Sequence, residues 1–311
     1  MIEFKPADRK ALFARIALTG PSGSGKTYTA LTLGTALGEN VAVIDTERGS
    51  ASKYVKLNGW EFETVQPDSF APLSLVETLG VAAGRGFDVV LIDSLSHYWM
   101  GADGMLEQVD RRAKNGGNFS GWKEVRPDER KMIDAIVSYP GHVIVTMRSK
   151  TEYVIEENDK GKKQPVKVGL KPDQREGIEY EFDLIGDMDM DNTLTVSKSR
   201  IHTLSKAVVP MPTEELAYQI RDWMADGTLV PTVSEYRLRA IDLKRFADAP
   251  PLYKEVEANK MLGAPTVDAD GNPTILGDLV LNRGRFLKSC EEAEARDAAK
   301  QQAAEPTEQP A

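Results

Sequence analysis

Four short apolar runs punctuate the first half of the chain: Arg15 to Thr19, Val41 to Asp45, Val89 to Asp93 and His142 to Thr146. Each is nearly continuous in Val, Ile, Leu and Ala, the pattern of strands buried on both faces. Helical spacing fills the gaps, as in Lys26 to Leu37 and Asp128 to Ser138. This alternation predicts βα units around a parallel sheet. Past residue 150 the texture changes. TEYVIEEN and KQPVKVGL flank DKGK and predict a hairpin; EYEFDLIGDMDM and TLTVSKSRIHTL predict two further strands around a turn at Asp191-Asn192. The expected sheet is therefore mixed but mainly parallel. After Pro210-Met211-Pro212, Glu214 to Asp226 predicts a helix with Leu216, Ile220 and Trp223 on one face and Gly227 as its stop. Thr232 with Glu235 forms a capping-box pattern that opens another. The expected organisation is an α/β core over 1–210, a small, mostly helical extension over 211–290 and a disordered acidic tail over 291–311.

Composition narrows this further. With 41% hydrophobic and 28% charged residues, the 311-residue chain can bury a core, which excludes collagen, coiled coil and wholesale disorder. Its single cysteine, Cys290, allows neither an intrachain disulfide nor a cysteine zinc site. Charged residues interrupt the N-terminus, and no 18 apolar residues follow one another, so a cytoplasmic protein without a membrane span is expected, in a bacterial host if phage-encoded. A net charge of −9 means that any nucleic-acid site must be local. Two stretches run against the sign: 111–131 holds seven basic and three acidic residues, and 148–175 holds eight and five. Their Gly, Asn and Pro content predicts loops.

The chemistry begins at Gly20-Pro21-Ser22-Gly23-Ser24-Gly25-Lys26-Thr27, a GxxxxGKT phosphate loop between a predicted strand and a predicted helix. Its backbone N–H groups and the positive helix end suit a phosphate chain, with Lys26 on the β and γ phosphates and Thr27 on magnesium. Asp93 ends an apolar strand and is expected to be the second magnesium anchor. Glu47 follows the Val41 to Asp45 strand by two residues, where a carboxylate can polarise water for attack on a γ phosphate. ATP and Mg2+ are the expected ligands.

GPSGSGKT, IDTE, LIDS, VIVTMR and LTVSKSR, in that order and spacing, resemble the RecA-like recombinase core, most closely the compact version that bacteriophages encode as recombination or annealing ATPases. The resemblance covers about residues 12 to 205. It implies that Glu47 activates water and that Tyr54 packs on the adenine, the other reading of Tyr54 being a core tyrosine. The family's polar sensor falls at Thr146-Met147-Arg148, a departure from the usual Gln, leaving Thr146 or Arg148 as sensor. It further implies that Lys198 and Arg200 reach the γ phosphate of an adjacent subunit, the alternative being pairing with local carboxylates such as Asp187, Asp189 or Asp191. The two basic stretches fall at the family's DNA-binding loops, giving Lys114, Phe119, Trp122, Lys123, Lys160, Lys162 and Lys163 as candidate contacts. Phe119 and Trp122 fit either base stacking or anchoring of the loop. His97 caps a turn or contacts phosphate, and Phe4-Lys5-Pro6-Ala7 resembles a subunit-docking segment. The expected function is an ATPase forming a filament or ring on single-stranded DNA, with a single-strand-binding protein as a possible partner through either terminus. A passive nucleotide-gated DNA binder and a small-molecule kinase are the alternatives.

Overall fold

The computed structural model describes residues 13–113, 117–157, 163–172, 174, 177–225 and 231–304. In chain order its elements are β1 (Arg15–Gly20), α1 (Lys26–Leu37), β2 (Val41–Asp45), β3 (Glu63–Val65), α2 (Pro72–Gly84), β4 (Val89–Asp93), α3 (Ser96–Met100), α4 (Met105–Arg112), α5 (Asn118–Val137) and β5 (His142–Glu157). There follow β6 (Lys163–Pro172), β7 (Leu184–Met188), β8 (Thr193–Ser199), β9 (Val208–Pro210), α6 (Glu214–Ala225), α7 (Val233–Ile241), α8 (Ala249–Ala258), β10 (Pro265–Val267), β11 (Pro273–Ile275) and α9 (Leu276–Ala304).

The main sheet runs β3-β2-β4-β5-β1-β7-β8-β9, with β6 paired to the far half of β5. The strands from β3 to β7 are parallel, while β8 and β9 return antiparallel. β1, β2 and β4 are buried along their whole length, as their unbroken apolar runs require. One core layer packs Leu31 and Leu33 of α1 and Leu216, Ala217 and Ile220 of α6 on the sheet. The other packs Leu75 and Leu79 of α2 and Met132 and Ile136 of α5 on the opposite face. The apolar face of α6 thus belongs to the sheet's core, so that core extends past residue 210 to Ala225.

Two expected loops are otherwise. Most of 111–131 is helix, because Gly121, Val125, Glu129, Met132 and Ile136 recur at a spacing that buries one face of α5. β5 outruns its apolar start by eleven residues, as its polar half pairs antiparallel with β6 in the expected hairpin. The last elements form a small core of their own around Val233, Tyr236, Leu252, Leu276 and Val280. The Thr232–Glu235 capping box opens it as expected, and α9 carries helix through Ala304, into the stretch read from the sequence as a frayed helix running into an acidic tail. Among the described residues no helix is long and apolar enough to cross a membrane.

The sheet's N-terminal edge is fastened by buried polar groups. Arg15 of β1 donates to the carbonyls of Phe13, Ala14, Val137, Tyr139 and Gly141, and Asp183 accepts its backbone N–H. His142 accepts the Ala14 N–H on Nδ1 at 3.0 Å. That contact requires a neutral ring, and burial, aided by the Arg15 charge, pulls its pKa from 6.5 to about 4. The unfolded chain therefore binds the proton more readily. His142 contributes stability that is complete above pH 6.5 and is lost as pH falls towards 4, by about 3 kcal/mol in total. Urea unfolding of the wild type and His142→Asn at pH 7 and pH 4.5 checks this: the wild type should lose more stability between the two than the variant.

Candidate active site

The strand order assembles the site. Because β5 lies between β1 and β4, the parallel ends of β1, β5, β4 and β2 present the phosphate loop, Thr146 with Arg148, Asp93 and Glu47 side by side. In the loop, Gly23 and Gly25 adopt φ of 85° and 83°, the left-handed region that side chains disfavour. Lys26 Nζ donates to the carbonyls of Gly20 at 2.9 Å and Pro21 at 2.7 Å, so it folds back over the loop. Burial holds the Lys26 ammonium below its usual range despite the nearby carboxylates of Asp93 and Glu47. Ser24 is fully buried, and its hydroxyl has no partner.

Thr27 Oγ1 donates to Asp93 Oδ2 at 2.7 Å. Thr146 Oγ1 donates to the other oxygen, Oδ1. Burial pushes the Asp93 carboxyl up, against both hydrogen bonds. A hydroxyl and a desolvated carboxylate meeting at the first turn of α1 are hard oxygen donors of the kind magnesium takes through one or two carboxylates. With the inward-turned lysine and the unpartnered Ser24 hydroxyl, the residues fit a nucleotide with magnesium.

Glu47 is held on both sides. Its own N–H donates to Asp45 Oδ1 at 2.8 Å, and Asp45 Oδ2 accepts from Ala51 at 3.1 Å, which sets the bend leaving β2. Its carboxylate takes a forked contact from Arg148, Nε to Oε1 at 3.0 Å and Nη2 to Oε2 at 2.7 Å. Burial pushes the Glu47 carboxyl up, but Arg148, then His97 and Lys26, outweigh it and hold the group below the usual carboxylate range. Arg148 is tied down in turn, its N–H donating to Ser96 Oγ at 3.0 Å.

His97, read from the sequence as a turn cap or a contact to phosphate or DNA, belongs to this group. Its Nδ1 meets Thr46 Oγ1 at 2.5 Å, and its ring stacks on Phe70. Thr46 also links β2 to β4 through the Ser94 N–H at 2.7 Å. Burial, with Arg148 adding to it, lowers the His97 pKa. Thr46 lies within the IDTE segment, but no motif marks His97, and the two converge only through strand register.

A cleft of about 800 Å³ opens beside the phosphate loop at Gly25, walled by Tyr28, Trp60, Met211, Tyr218 and Asn192. Asn192 closes its inner end: a Cβ on Gly25 would lie 2.5 Å from the Asn192 Oδ1. Tyr28, Trp60 and Tyr218 give the cleft aromatic walls, as a nucleoside pocket has, and Asn58, Thr213, Glu214 and Glu215 add polar groups to its lining. Tyr54 stands behind it, edge-on to Tyr28 and packed on the inner core.

The remaining candidates disperse. Lys198 Nζ donates to the carbonyls of Glu179 at 2.6 Å and Phe182 at 2.8 Å. Arg200 pairs with Asp183 at 2.7 Å and donates to the Tyr180 carbonyl. Both thus engage the Ile178–Glu181 turn and its flank, Lys198 through backbone carbonyls alone and Arg200 also through Asp183, a carboxylate other than those expected. Trp122 packs on Trp99 with centroids 5.7 Å apart, beside Met105, Val109 and Val125, as an anchor does. Phe119 is 81% exposed, as a stacking group requires. Lys123 is exposed on α5, and Lys163 opens β6. Lys114, Lys160 and Lys162, and the segment from Phe4 to Ala7, lie outside the described residues.

Residues 12–209 match a family model described as an AAA domain, a span that holds the phosphate loop, Glu47, Asp93 and Arg148. No curated protein matches the chain.

Proposed function

The chain belongs to the AAA-domain family of P-loop ATPases, and from that premise we propose that it hydrolyses ATP in an assembly on single-stranded DNA and helps to anneal or pair strands, as phage recombination ATPases do. The observation that supports hydrolysis is Glu47, an ionised carboxylate one strand away from the Thr27–Asp93 pair and held there by Arg148.

Thr27 and Asp93 would hold magnesium, which when bound neutralises charge on the phosphate oxygens. Lys26 exchanges two loop carbonyls for phosphate oxygens, and Tyr28 with Trp60 encloses the base. Glu47 accepts a proton from water as the water oxygen bonds to the γ-phosphorus and the bond to the bridging oxygen breaks, its electron pair leaving with ADP. Arg148 limits this step: while both its contacts are made, it competes for the oxygens that must receive the proton. A γ phosphate close to Arg148 offers the guanidinium a second anion and frees Glu47, which couples nucleotide state to catalysis.

Lys198 and Arg200 complete the scheme from a neighbouring subunit. The Arg200 side chain is 53% exposed in the single chain, so it can exchange Asp183 for a phosphate across a subunit boundary. Arg200→Ala and Lys26→Ala are each expected to lose DNA-stimulated turnover, and a mixture to recover part of it, since one brings intact nucleotide sites and the other intact fingers. Co-assembled mixtures without recovery would return Arg200 to a purely structural role.

A further inference from the structure

Helix α5 sorts its charges by face. Phe119, Lys123, Arg126 and Arg130 follow one another at intervals of four, three and four residues, so they lie in one narrow stripe along the helix. All four are exposed. Of the carboxylates of this helix, Asp128 pairs with Arg112 at 3.0 Å, Glu129 is buried, and Glu124 is exposed one residue after Lys123, about 100° round the helix from it. Among the described residues Lys123, Arg126 and Arg130 make no ion pair with a carboxylate, whereas Arg111 and Arg112 on α4 do. Asp134 borders the far end, where burial pushes its carboxyl up and Arg130 opposes the shift.

We propose that this stripe, rather than a loop, is the track on which single-stranded nucleic acid lies, with Lys123, Arg126 and Arg130 against phosphates and Phe119 under a base. The inference rests on the DNA-binding reading above and names its surface. Charge complementarity selects the occupant: in a chain of net charge −9 an unpaired cationic row attracts a polyanion. Phe119 narrows the class, because a bare aromatic ring at the end of a cationic row offers stacking to a base, and a duplex with its bases already stacked gains nothing from it. The sequence offered both Phe119 and Trp122 for this role; the structure packs Trp122, partly buried, against Trp99, and the exposed stripe holds Phe119 with Arg126 and Arg130.

The test is binding of fluorescein-labelled oligo(dT) to the full chain with a non-hydrolysable ATP analogue, between 50 and 400 mM salt. Losing three phosphate contacts in K123Q/R126Q/R130Q should flatten the log–log salt slope by about 2 and weaken binding about 100-fold at 100 mM salt. F119A should weaken oligo(dT) binding about tenfold and leave binding of heparin, a polyanion without bases, unchanged. K254Q/R285Q/K288Q, with the same charge loss on the C-terminal elements, should keep the wild-type slope, and labelled ATP binding by each variant shows that the fold is kept. If the wild type binds oligo(dT) and the α5 triple variant keeps its slope, the track lies elsewhere and the DNA reading stands. Equal losses on heparin and oligo(dT) in F119A would overturn the stacking role. A wild type that binds no oligo(dT) would overturn the DNA reading and the track together.

Discussion

Glu47→Gln should bind ATP as the wild type does and hydrolyse it about 10²–10⁴-fold more slowly, the range a positioned general base supplies. Lys26→Ala should fail earlier, at nucleotide binding itself. The difference follows from where each charge acts. Among the described residues Lys26 donates hydrogen bonds to the Gly20 and Pro21 carbonyls, which leaves its ammonium free to turn to phosphates in the proposed ground state. Glu47 faces Arg148 across the mouth of the site, and in the proposed mechanism it acts on water. The amide oxygen introduced by Glu47→Gln can still accept from Arg148, so the bend set by Asp45 should persist while the base is gone. Fluorescent-nucleotide titration beside phosphate release separates the two. Equal loss of ATP affinity in both variants would remove Glu47 from the catalytic role.

The largest effect on stability is expected at Arg15. Five carbonyls converge on one guanidinium in the interior, and burial pulls its pKa down to about 10 against the favourable charge of Asp183. Arg15→Met keeps the stem and removes every donor. The carbonyls of Tyr139 and Gly141 lose a short hydrogen bond each, and Asp183 loses a nearby cation. Breaking a buried charged network from one side costs about 3–5 kcal/mol, which for a core of this size lowers the melting temperature by roughly 10 °C. Scanning calorimetry of the variant checks it. A shift of a degree or two would mean that water satisfies the carbonyls and that the network is replaceable.

Much of this fold is legible in the sequence because it is written locally. The buried strands are unbroken apolar runs, the phosphate loop needs its glycines at positive φ, and the Thr232–Glu235 cap closes within four residues. What escapes depends on distance in the chain. Glu47 and Arg148 stand 101 residues apart and meet only because β5 is inserted between β1 and β4. Arg15 reads as the polar first residue of a strand, and nothing near it in sequence announces five carbonyl partners. The first half of helix α5, unlike the Asp128 to Ser138 stretch, reads as a loop because Gly117, Asn118, Gly121 and Pro127 are poor helix formers; the burial of Gly121 and Val125 on the face shared with Met132 and Ile136 overrides that preference. Tyr28, adjacent to Thr27, is the readable signal for the base cleft, whereas the family resemblance points to Tyr54.

Phosphate release from Mg–ATP, followed with and without oligo(dT), tests the central claim most directly. The account predicts turnover that rises with DNA in the wild type and is absent from Glu47→Gln under both conditions. Turnover in Glu47→Gln equal to the wild type, or a wild type that binds Mg–ATP and releases no phosphate with DNA present, would contradict it.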